Sequence, residues 1–299
     1  MSSVNTVGTH RPPGYGRAVP VFTVDVEDWF QVNAFEPYVA RDQWHTYESR
    51  VERNTDVLLQ LCADHGATGT FFTLGWVAER YPQLVRRIAD AGHEVASHGY
   101  WHQRIPTISE TAFRDDVRRA KAMLEDASGT AVTGYRAPSF SLTDTVPWAA
   151  RVLVEEGYTY DSSRFPITRP GYGTASGARE PHVLATEAGP LHEYPPAVWP
   201  VAGINVPVAG GGWFRQFPRW VIERGLAHVL REGQPAVFYL HPWEVDPGQP
   251  RLPVGPLTRI RHYRGLDVCA DRLRLLMRRF AFRSISSFES APATTAVHA

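Results

Sequence analysis

Two histidines placed four residues apart are the first feature of the sequence that could do chemistry. His98 and His102 bound the segment His98-Gly99-Tyr100-Trp101-His102, which follows a run typical of a buried strand. On a first helical turn, side chains at this spacing project from one face and can converge on one metal ion. Neutral imidazole suits zinc and its first-row neighbours. The pair alone is a weak signal, because this spacing is more often structural or solvated.

Four other polar clusters strengthen the signal, because each stands at the end of a predicted strand. In a barrel of parallel strands, residues at the carboxyl ends of the strands converge on one mouth. A solvated acidic turn would explain any one cluster but would not readily explain all of them. The four clusters are the acids Asp25, Glu27 and Asp28, the segment Arg136 to Phe140, the segment Asp161 to Pro166, and Leu240-His241.

The elements that position these clusters follow a repeated order of helix, glycine and strand. This order recurs at five glycines and indicates a parallel sheet built of βα units. Polar residues at the strand ends favour a barrel over an open doubly wound sheet, which stays as the alternative. No G-x-G-x-x-G loop follows the first strand, which disfavours a nucleotide site. The predicted strands are 21–28, 68–74, 93–97, 131–136, 158–161 and 236–240, and the predicted helices are 50–63, 82–91, 110–129, 148–156, 218–232 and about 266–280.

Length and composition indicate one large α/β domain. The chain has 299 residues, of which 43% are hydrophobic and 21% are charged, so it can bury its own core. We predict a single domain over 19–289, between a flexible arm at 1–18 and a disordered tail at 290–299. Within the domain we predict a loop-rich insertion at about 164–217 near the barrel mouth and a C-terminal helical extension at about 246–289.

The insertion contains two runs, 183–186 and 191–194, that we expect to form a hairpin over the barrel mouth. The two cysteines, Cys62 and Cys269, lie in helical patterns and are predicted to be buried thiols. A net charge of zero argues against a nucleic-acid partner. No apolar run reaches the length of a transmembrane helix, and residues 1–20 lack the apolar core of a signal peptide. We therefore expect a cytoplasmic protein without a transmembrane segment.

Taken in order, the five motifs resemble those of the NodB-homology polysaccharide deacetylases, carbohydrate esterase family 4. The resemblance covers about residues 20–245. The first motif departs from the family pattern T-F-D-D, since it reads Thr23-Val24-Asp25-Val26-Glu27-Asp28, and Gly99 stands where the family has a hydroxyl residue. The D-V-E-D-W and H-G-Y-W-H forms, with the Gly-Gly-Gly-Trp-Phe-Arg segment at 210–215, look most like a subgroup linked to bacterial exopolysaccharide loci.

The resemblance implies a distorted (β/α)7–8 barrel and a reaction. That reaction is the removal of N-acetyl groups from an N-acetylated sugar, exopolysaccharide or cell-envelope glycan by a metal-activated water. The expected cofactor is a divalent metal, with Zn²⁺ favoured and Co²⁺, Ni²⁺ or Mn²⁺ as alternatives. The expected ligands are His98, His102 and Asp28. Glu27 is the alternative to Asp28, and the choice between them is nearly even.

The resemblance also assigns roles to the remaining polar residues. Asp25 would be the general base, held ionised by Arg136, and His241 would be the general acid that protonates the leaving amine. Asp161 would either orient His241 or shape the groove.

Substrate contacts follow from the same motifs. A backbone N–H near Phe140 would hold the oxyanion, and Pro138 and Trp243 would contact the substrate. Four tryptophans could stack on sugar faces or lie in the core, namely Trp101, Trp199, Trp213 and Trp243. Two other functions stay open: hydrolysis of a cyclic amide or urea, as in the allantoinase-like branch of the fold, and glycan binding without catalysis.

Overall fold

The computed structural model describes residues 18–168, 173–174 and 177–289. The predicted arm, apart from Ala18, and the predicted tail lie outside the described residues. In the described part of the chain, no helix is both long enough and apolar enough to span a membrane.

The strands of the described chain form one large curled sheet and one small hairpin. The large sheet has the order β10-β1-β2-β3-β4-β5-β7-β6, and the hairpin is β8-β9. The strands are β1 Pro20–Val26, β2 Thr70–Thr73, β3 Glu94–Ser97, β4 Gly134–Tyr135, β5 Tyr160–Asp161, β6 His182–Thr186, β7 Gly189–Glu193, β8 Val198–Val201, β9 Ile204–Pro207 and β10 Ala236–Leu240.

Parallel pairing runs through seven of these strands, and β6 is the antiparallel exception. The segment after β7 then reaches the other edge of the sheet. Pro196 forms a parallel bridge with Val237 of β10, and the Ala197 N–H donates to the Val237 carbonyl over 3.0 Å. These contacts bring the two ends of the curled sheet together. The predicted distorted barrel is therefore confirmed, and the open doubly wound sheet is not the architecture.

Strand alternation divides the side chains of β1 between the two faces of the curled sheet. Phe22, Val24 and Val26 belong to the large apolar core that the helices cover. Val21 belongs to a second, smaller core with Phe72 and other residues of the opposite face. The same alternation places Asp25 on the face of Val21, at the carboxyl end of the strand.

The helices pack against the outer face of the curled sheet. Several helices end at a glycine with positive φ, as at Gly129 (φ 71°), which caps the longest of them in the left-handed conformation. Cys62 and Cys269 are buried free thiols, as predicted, and burial raises the pKa of Cys62 to about 12. The helices are α1 Val51–Asp64, α2 Gly75–Arg80, α3 Pro82–Asp90, α4 Glu110–Ser128, α5 Trp148–Glu155, α6 Gly211–Gln216, α7 Arg219–Arg231, α8 Pro256–Tyr263, α9 Leu266–Arg279 and α10 Ile285–Glu289.

The predicted hairpin forms, but the prediction that it lies over the barrel mouth is wrong. Strands β6 and β7 do pair as a hairpin, but β7 also pairs in parallel with β5, so that His192 lies opposite Tyr160. Leu191 and Glu193 of β7 are fully buried, and a strand with such side chains packs in the sheet rather than over its mouth. The rest of the insertion forms the β8–β9 hairpin and α6, which the sequence pattern did not predict.

Candidate active site

Glu27, His98 and His102 form a buried cluster beyond the carboxyl ends of β1 and β3. One ligand atom from each side chain lies within 4.8 Å of the other two. His102 Nε2 lies 2.8 Å from Glu27 Oε2, and the two imidazole rings are 5.1 Å apart. His98 Nδ1 lies 2.8 Å from the Arg136 carbonyl oxygen. That contact fixes the ring and leaves Nε2 available as a ligand.

A tight turn after β3 brings the two histidines together. Gly99 and His102 both have positive φ, at 73° and 51°. The Asp116 carboxylate on α4 accepts hydrogen bonds from the N–H groups of Tyr100 (2.7 Å) and Trp101 (3.0 Å). A Cβ on Gly99 would lie 2.7 Å from Asp116 Oδ2. Asp116 therefore accounts for the glycine that replaces the family's hydroxyl residue, and sequence reasoning had missed it.

The cluster suits a divalent metal because of both its ligand atoms and the protonation states of their side chains. Glu27 Oε2 is buried, and the polar atom that it faces, at 2.8 Å, is His102 Nε2, which is itself a candidate ligand atom. Burial alone would raise the pKa of Glu27, but attraction to His102, His241 and His98 lowers it to about 2. Burial lowers the pKa of His98 to about 4. The site thus offers an ionised carboxylate and a neutral imidazole, the forms that bind metal, and this donor set suits zinc.

Asp28, the slightly favoured third ligand, lies elsewhere and is corrected to Glu27. Its Oδ2 accepts hydrogen bonds from the Ser49 hydroxyl (2.7 Å) and from the N–H groups of Arg50 (2.9 Å) and Val51 (3.2 Å), at the start of α1. The reason is strand alternation, because Glu27 continues the face of Asp25 whereas Asp28 falls on the opposite face. This period of two was visible in the sequence.

Asp25 is held by a fully buried arginine. Arg136 donates from Nη1 to Asp25 Oδ1 and to the Thr23 hydroxyl, both over 2.7 Å. Its Nε and Nη2 donate to the carbonyl and hydroxyl oxygens of Ser162, over 2.9 and 2.8 Å. The structure therefore brings the predicted base and the predicted arginine together, and Asp25 Oδ2 is the carboxylate oxygen that faces His241 Nε2, at 3.9 Å.

His241 is oriented by Glu244, a residue that sequence reasoning missed. His241 Nδ1 lies 2.7 Å from Glu244 Oε1, and Arg215 Nε donates to Glu244 Oε2 over 2.5 Å. Arg215 is itself fixed by the carbonyl oxygens of His262 (2.9 Å) and Arg264 (2.5 Å). A sequence signal for Glu244 existed, since His-Pro-Trp-Glu has the form of a capping box with proline at the first helical position.

Asp161 does not contact His241 by hydrogen bond, so the first role predicted for it is wrong. Its two oxygens accept from the hydroxyl (2.6 Å) and the N–H (2.9 Å) of Ser163. The Ser163 hydroxyl oxygen in turn accepts from the N–H of Ala137 over 2.7 Å. Burial and the neighbouring Asp161 raise the pKa of Glu193 well above its ordinary value. Through Ser163, Asp161 therefore holds the loop that follows Arg136, and its predicted groove-shaping role stays a prediction.

Comparison with known proteins gives two family matches along the chain. Residues 40–160 match the family model described as polysaccharide deacetylase, and residues 162–289 match a domain of unknown function, DUF3473. Residues 40–160 are therefore similar to a polysaccharide deacetylase domain. His98, His102 and Arg136 lie inside the segment that matches the deacetylase model. The predicted exopolysaccharide-linked subgroup stays a prediction.

Two curated relatives are named as peptidoglycan deacetylases. The chain is 30% identical over 106 residues to a peptidoglycan deacetylase of Helicobacter pylori, covering 36% of this chain and 35% of that protein. It is also 30% identical over 96 residues to a peptidoglycan-N-acetylglucosamine deacetylase of Bacillus cereus, covering 32% and 35%. The match thus spans about a third of the length of these relatives.

Solved structures support the fold of the deacetylase domain. A crystal structure assigned as a polysaccharide deacetylase of Mycobacterium smegmatis has a TM-score of 0.57 and 22% identity, covering 95% of this chain and 96% of the other. The Puue allantoinase has a TM-score of 0.59 and 15% identity, covering 98% and 99%. At these identities, the likeness is one of fold alone.

Trp243 and Phe140 make contacts within the protein that differ from the substrate contacts predicted for them. Trp243 is only 6% exposed, stacks between His241 (4.9 Å) and His262 (4.3 Å), and donates to Glu27 Oε1 over 3.0 Å. It therefore orients two site residues and has no free face for a sugar. The Phe140 N–H donates to the Ala137 carbonyl over 2.9 Å, so it is not a free oxyanion donor.

A pocket of about 270 Å³ joins these side chains. Its walls include Phe140 but not Pro138, which is buried in the turn before it. A larger cavity of about 960 Å³ lies between residues 142–151 and β6, and its lining holds none of the clustered acids and histidines. Trp213 lines a separate cavity of about 410 Å³, whereas Trp101 and Trp199 pack against the main core. The site residues that line the small pocket are Asp25, Glu27, His98, His102, Arg215, His241 and Trp243.

Proposed function

We propose that the protein hydrolyses the N-acetyl amide of an N-acetylated glycan. One observation carries the proposal: a carboxylate fixed by a buried arginine, a Glu-His-His cluster and a carboxylate-bound histidine all line one pocket. Asp25, His241 and the cluster are the residues we assign to the reaction. The cell-wall deacetylases among the relatives support this substrate class, as does a chitooligosaccharide deacetylase of Sinorhizobium fredii that is 40% identical over 65 residues, covering 22% of this chain and 29% of that protein.

Glu27, His98 and His102 would hold a divalent cation, for which Zn²⁺ is the first choice and Co²⁺, Ni²⁺ and Mn²⁺ are the alternatives. When bound, such a cation supplies Lewis-acid polarisation of the amide carbonyl and lowers the pKa of water. Trp243 supports the carboxylate ligand through its N–H bond to Glu27. The Arg136 carbonyl supports His98 in the same way.

Asp25 acts as the general base. Arg136 donates to Oδ1 of Asp25 and holds the carboxylate in one orientation. Oδ2 faces the pocket and accepts the proton of the attacking water. The aromatic ring of Phe72 packs 4.2 Å from the Arg136 guanidinium, and this burial excludes bulk water from the ion pair.

His241 acts as the general acid. Burial alone would lower the pKa of His241, but its hydrogen bond to Glu244 and its attraction to nearby carboxylates raise that pKa to about 9. The ring is therefore an imidazolium at neutral pH. Its Nδ1–H is held by Glu244, so Nε2–H is the proton that passes to the leaving amine.

Acetate release from N-acetylglucosamine oligomers tests the proposal. We expect release that stops with a chelator and returns with Zn²⁺ or Co²⁺. Asp25→Asn should keep bound metal and lower turnover by at least ~100-fold, the scale expected for loss of a general base. Asp42→Asn, at an exposed carboxylate of the surface, is the matched control and should retain wild-type turnover.

The outcomes separate this proposal from the alternatives. Wild-type turnover in Asp25→Asn contradicts the assignment of the base. Hydrolysis of allantoin with no acetate from any glycan contradicts the substrate class and supports the cyclic-amide hydrolase. Tight glycan binding without turnover under any metal supports a binding module and contradicts the enzyme.

A further inference from the structure

Helix α8 and the loops around it form a basic and apolar surface beside the pocket. Residues 247–265 contain four arginines and no Asp or Glu, although the whole chain has a net charge of zero. On α8, the side chains of Leu257 and Ile260 are 59% and 51% exposed. Positions 257, 260, 261 and 264 fall on one helical stripe. The exposed apolar side chains therefore lie among the arginines.

The positive charge of this surface has no counter-charge from the protein. In the part of the chain that the structure describes, the side chains of Arg259, Arg261 and Arg264 form no ion pair or hydrogen bond. Arg251 contacts only the ring of Tyr263, at 5.2 Å. Several arginines elsewhere on the surface are paired with acids, as Arg118 is with Glu156 over 2.9 Å. The cluster is thus free to meet an anionic partner.

The surface borders the candidate active site directly. Thr258 and Arg261 of α8 line the 270 Å³ pocket, and His262 packs under Trp243. We propose that α8 and its flanking arginines dock the protein on an anionic lipid bilayer, with the pocket mouth at the membrane surface. Arginines would meet lipid headgroups while Leu257 and Ile260 enter the boundary with the acyl chains.

Two other partners fit the surface less well. A water-soluble anionic polysaccharide would satisfy the arginines but would leave Leu257 and Ile260 exposed to water. A second copy of this chain on the same face would set the arginines of both copies against each other, because a two-fold interface repeats its own charges. A lipid surface satisfies both the charge and the apolar side chains. Docking does not depend on the proposed reaction.

Vesicle co-sedimentation of the full chain tests the docking. The probes are vesicles of phosphatidylcholine alone and of phosphatidylcholine mixed with phosphatidylglycerol, at low and high salt. We expect salt-sensitive binding to the anionic vesicles only. Arg259→Gln with Arg264→Gln should weaken binding by about 30-fold, since each arginine near an anionic surface contributes about fivefold. Leu257→Gln with Ile260→Gln should weaken it by about tenfold.

A matched control uses another pair of exposed apolar residues. Val268 and Leu275 of α9 are 42% and 40% exposed, and their double glutamine variant should bind vesicles like the wild type. The proposal is overturned by any of four results: no vesicle binding, equal binding to neutral vesicles, a control variant as weak as the α8 variants, or a concentration-dependent dimer that the α8 variants abolish. Leu257→Gln with Ile260→Gln should retain acetate release from short oligomers, so failure of the deacetylase proposal would leave the vesicle result interpretable.

Discussion

The neighbouring acids Glu27 and Asp28, directly after β1, make separate contacts, and substituting each one should separate metal binding from stability. Glu27→Gln keeps the shape of the side chain and an oxygen for the Trp243 N–H, but it removes the carboxylate charge from the cluster. Loss of the hydrogen-bond partner of a metal ligand costs about 10–100-fold in metal affinity, so loss of a ligand's charge should cost at least about 100-fold. The fold should be unaffected.

Asp28→Ala should have the opposite effect. It removes the acceptor for the Ser49 hydroxyl and for the N–H groups of Trp29, Arg50 and Val51. Losing a cap costs about 1–2 kcal/mol, and leaving buried N–H groups without an acceptor adds about 1–3 kcal/mol. We expect the free energy of unfolding to fall by about 2–4 kcal/mol and Tm to fall by about 5–10 °C, with metal affinity retained.

Calorimetric titration of metal-free protein with Zn²⁺ and thermal denaturation of the same samples measure both quantities. The expected result is a crossed pattern, in which Glu27→Gln loses zinc but not stability and Asp28→Ala loses stability but not zinc. The reasoning is refuted if folded Asp28→Ala fails to bind zinc while Glu27→Gln binds like the wild type. That result would restore Asp28 as the ligand.

Two further predictions concern histidines in different settings. His93 Nδ1 accepts a hydrogen bond from the Gly69 N–H over 3.1 Å, and burial lowers the pKa of His93 from 6.5 to about 4. The contribution of neutral His93 to the free energy of unfolding is therefore complete above pH 6.5 and is lost as the pH falls towards 4. In urea denaturation, this group should make the free energy of unfolding about 2 kcal/mol lower at pH 5 than at pH 7. His93→Asn should abolish this difference, and an unchanged pH dependence in the variant contradicts the assignment. Glu244→Gln should lower kcat at least about tenfold and move the alkaline limb of the kcat/KM profile to lower pH, because the carboxylate that raises the pKa of His241 is gone; an unshifted limb refutes the positioning role.

Local patterns in the sequence were sufficient to predict most of the strands of the barrel. Apolar periodicity and the glycines after the helices predicted six parallel strands and their order in the chain, since each βα unit carries its own signal. The seventh parallel strand, β7, was misplaced because it follows β6 directly through a hairpin rather than a helix. Closure between Pro196 and Val237 joins residues 41 positions apart, and no local pattern encodes such a contact.

Within the site, the residues whose positions could be predicted from the sequence are those at strand ends. Asp25 lies at the end of β1, and His98 and His241 directly follow β3 and β10. Continuing the alternation of β1 past its end would also have distinguished Glu27 from Asp28. Glu244 had a local signal in the turn after His241. Arg215 had none, because it reaches Glu244 from 29 residues away through α6. Asp116 likewise depends on how α4 packs against the turn of His98.

The two family matches divide the chain at about residue 161, yet the barrel and its site do not divide there. The segment that matches the deacetylase model contributes the two histidines and Arg136, whereas His241, Glu244, Trp243 and Arg215 come from the segment of unknown function. Strand β10, from that second segment, pairs with β1 from Pro20↔Ala236 to Val24↔Leu240. If the second segment were separated from the first, the edge of β10 that pairs with β1 would be exposed. Trp243 would also lose Glu27, the acceptor of its N–H. The second segment is therefore the closing part of the barrel, and its function has to be studied in the intact chain.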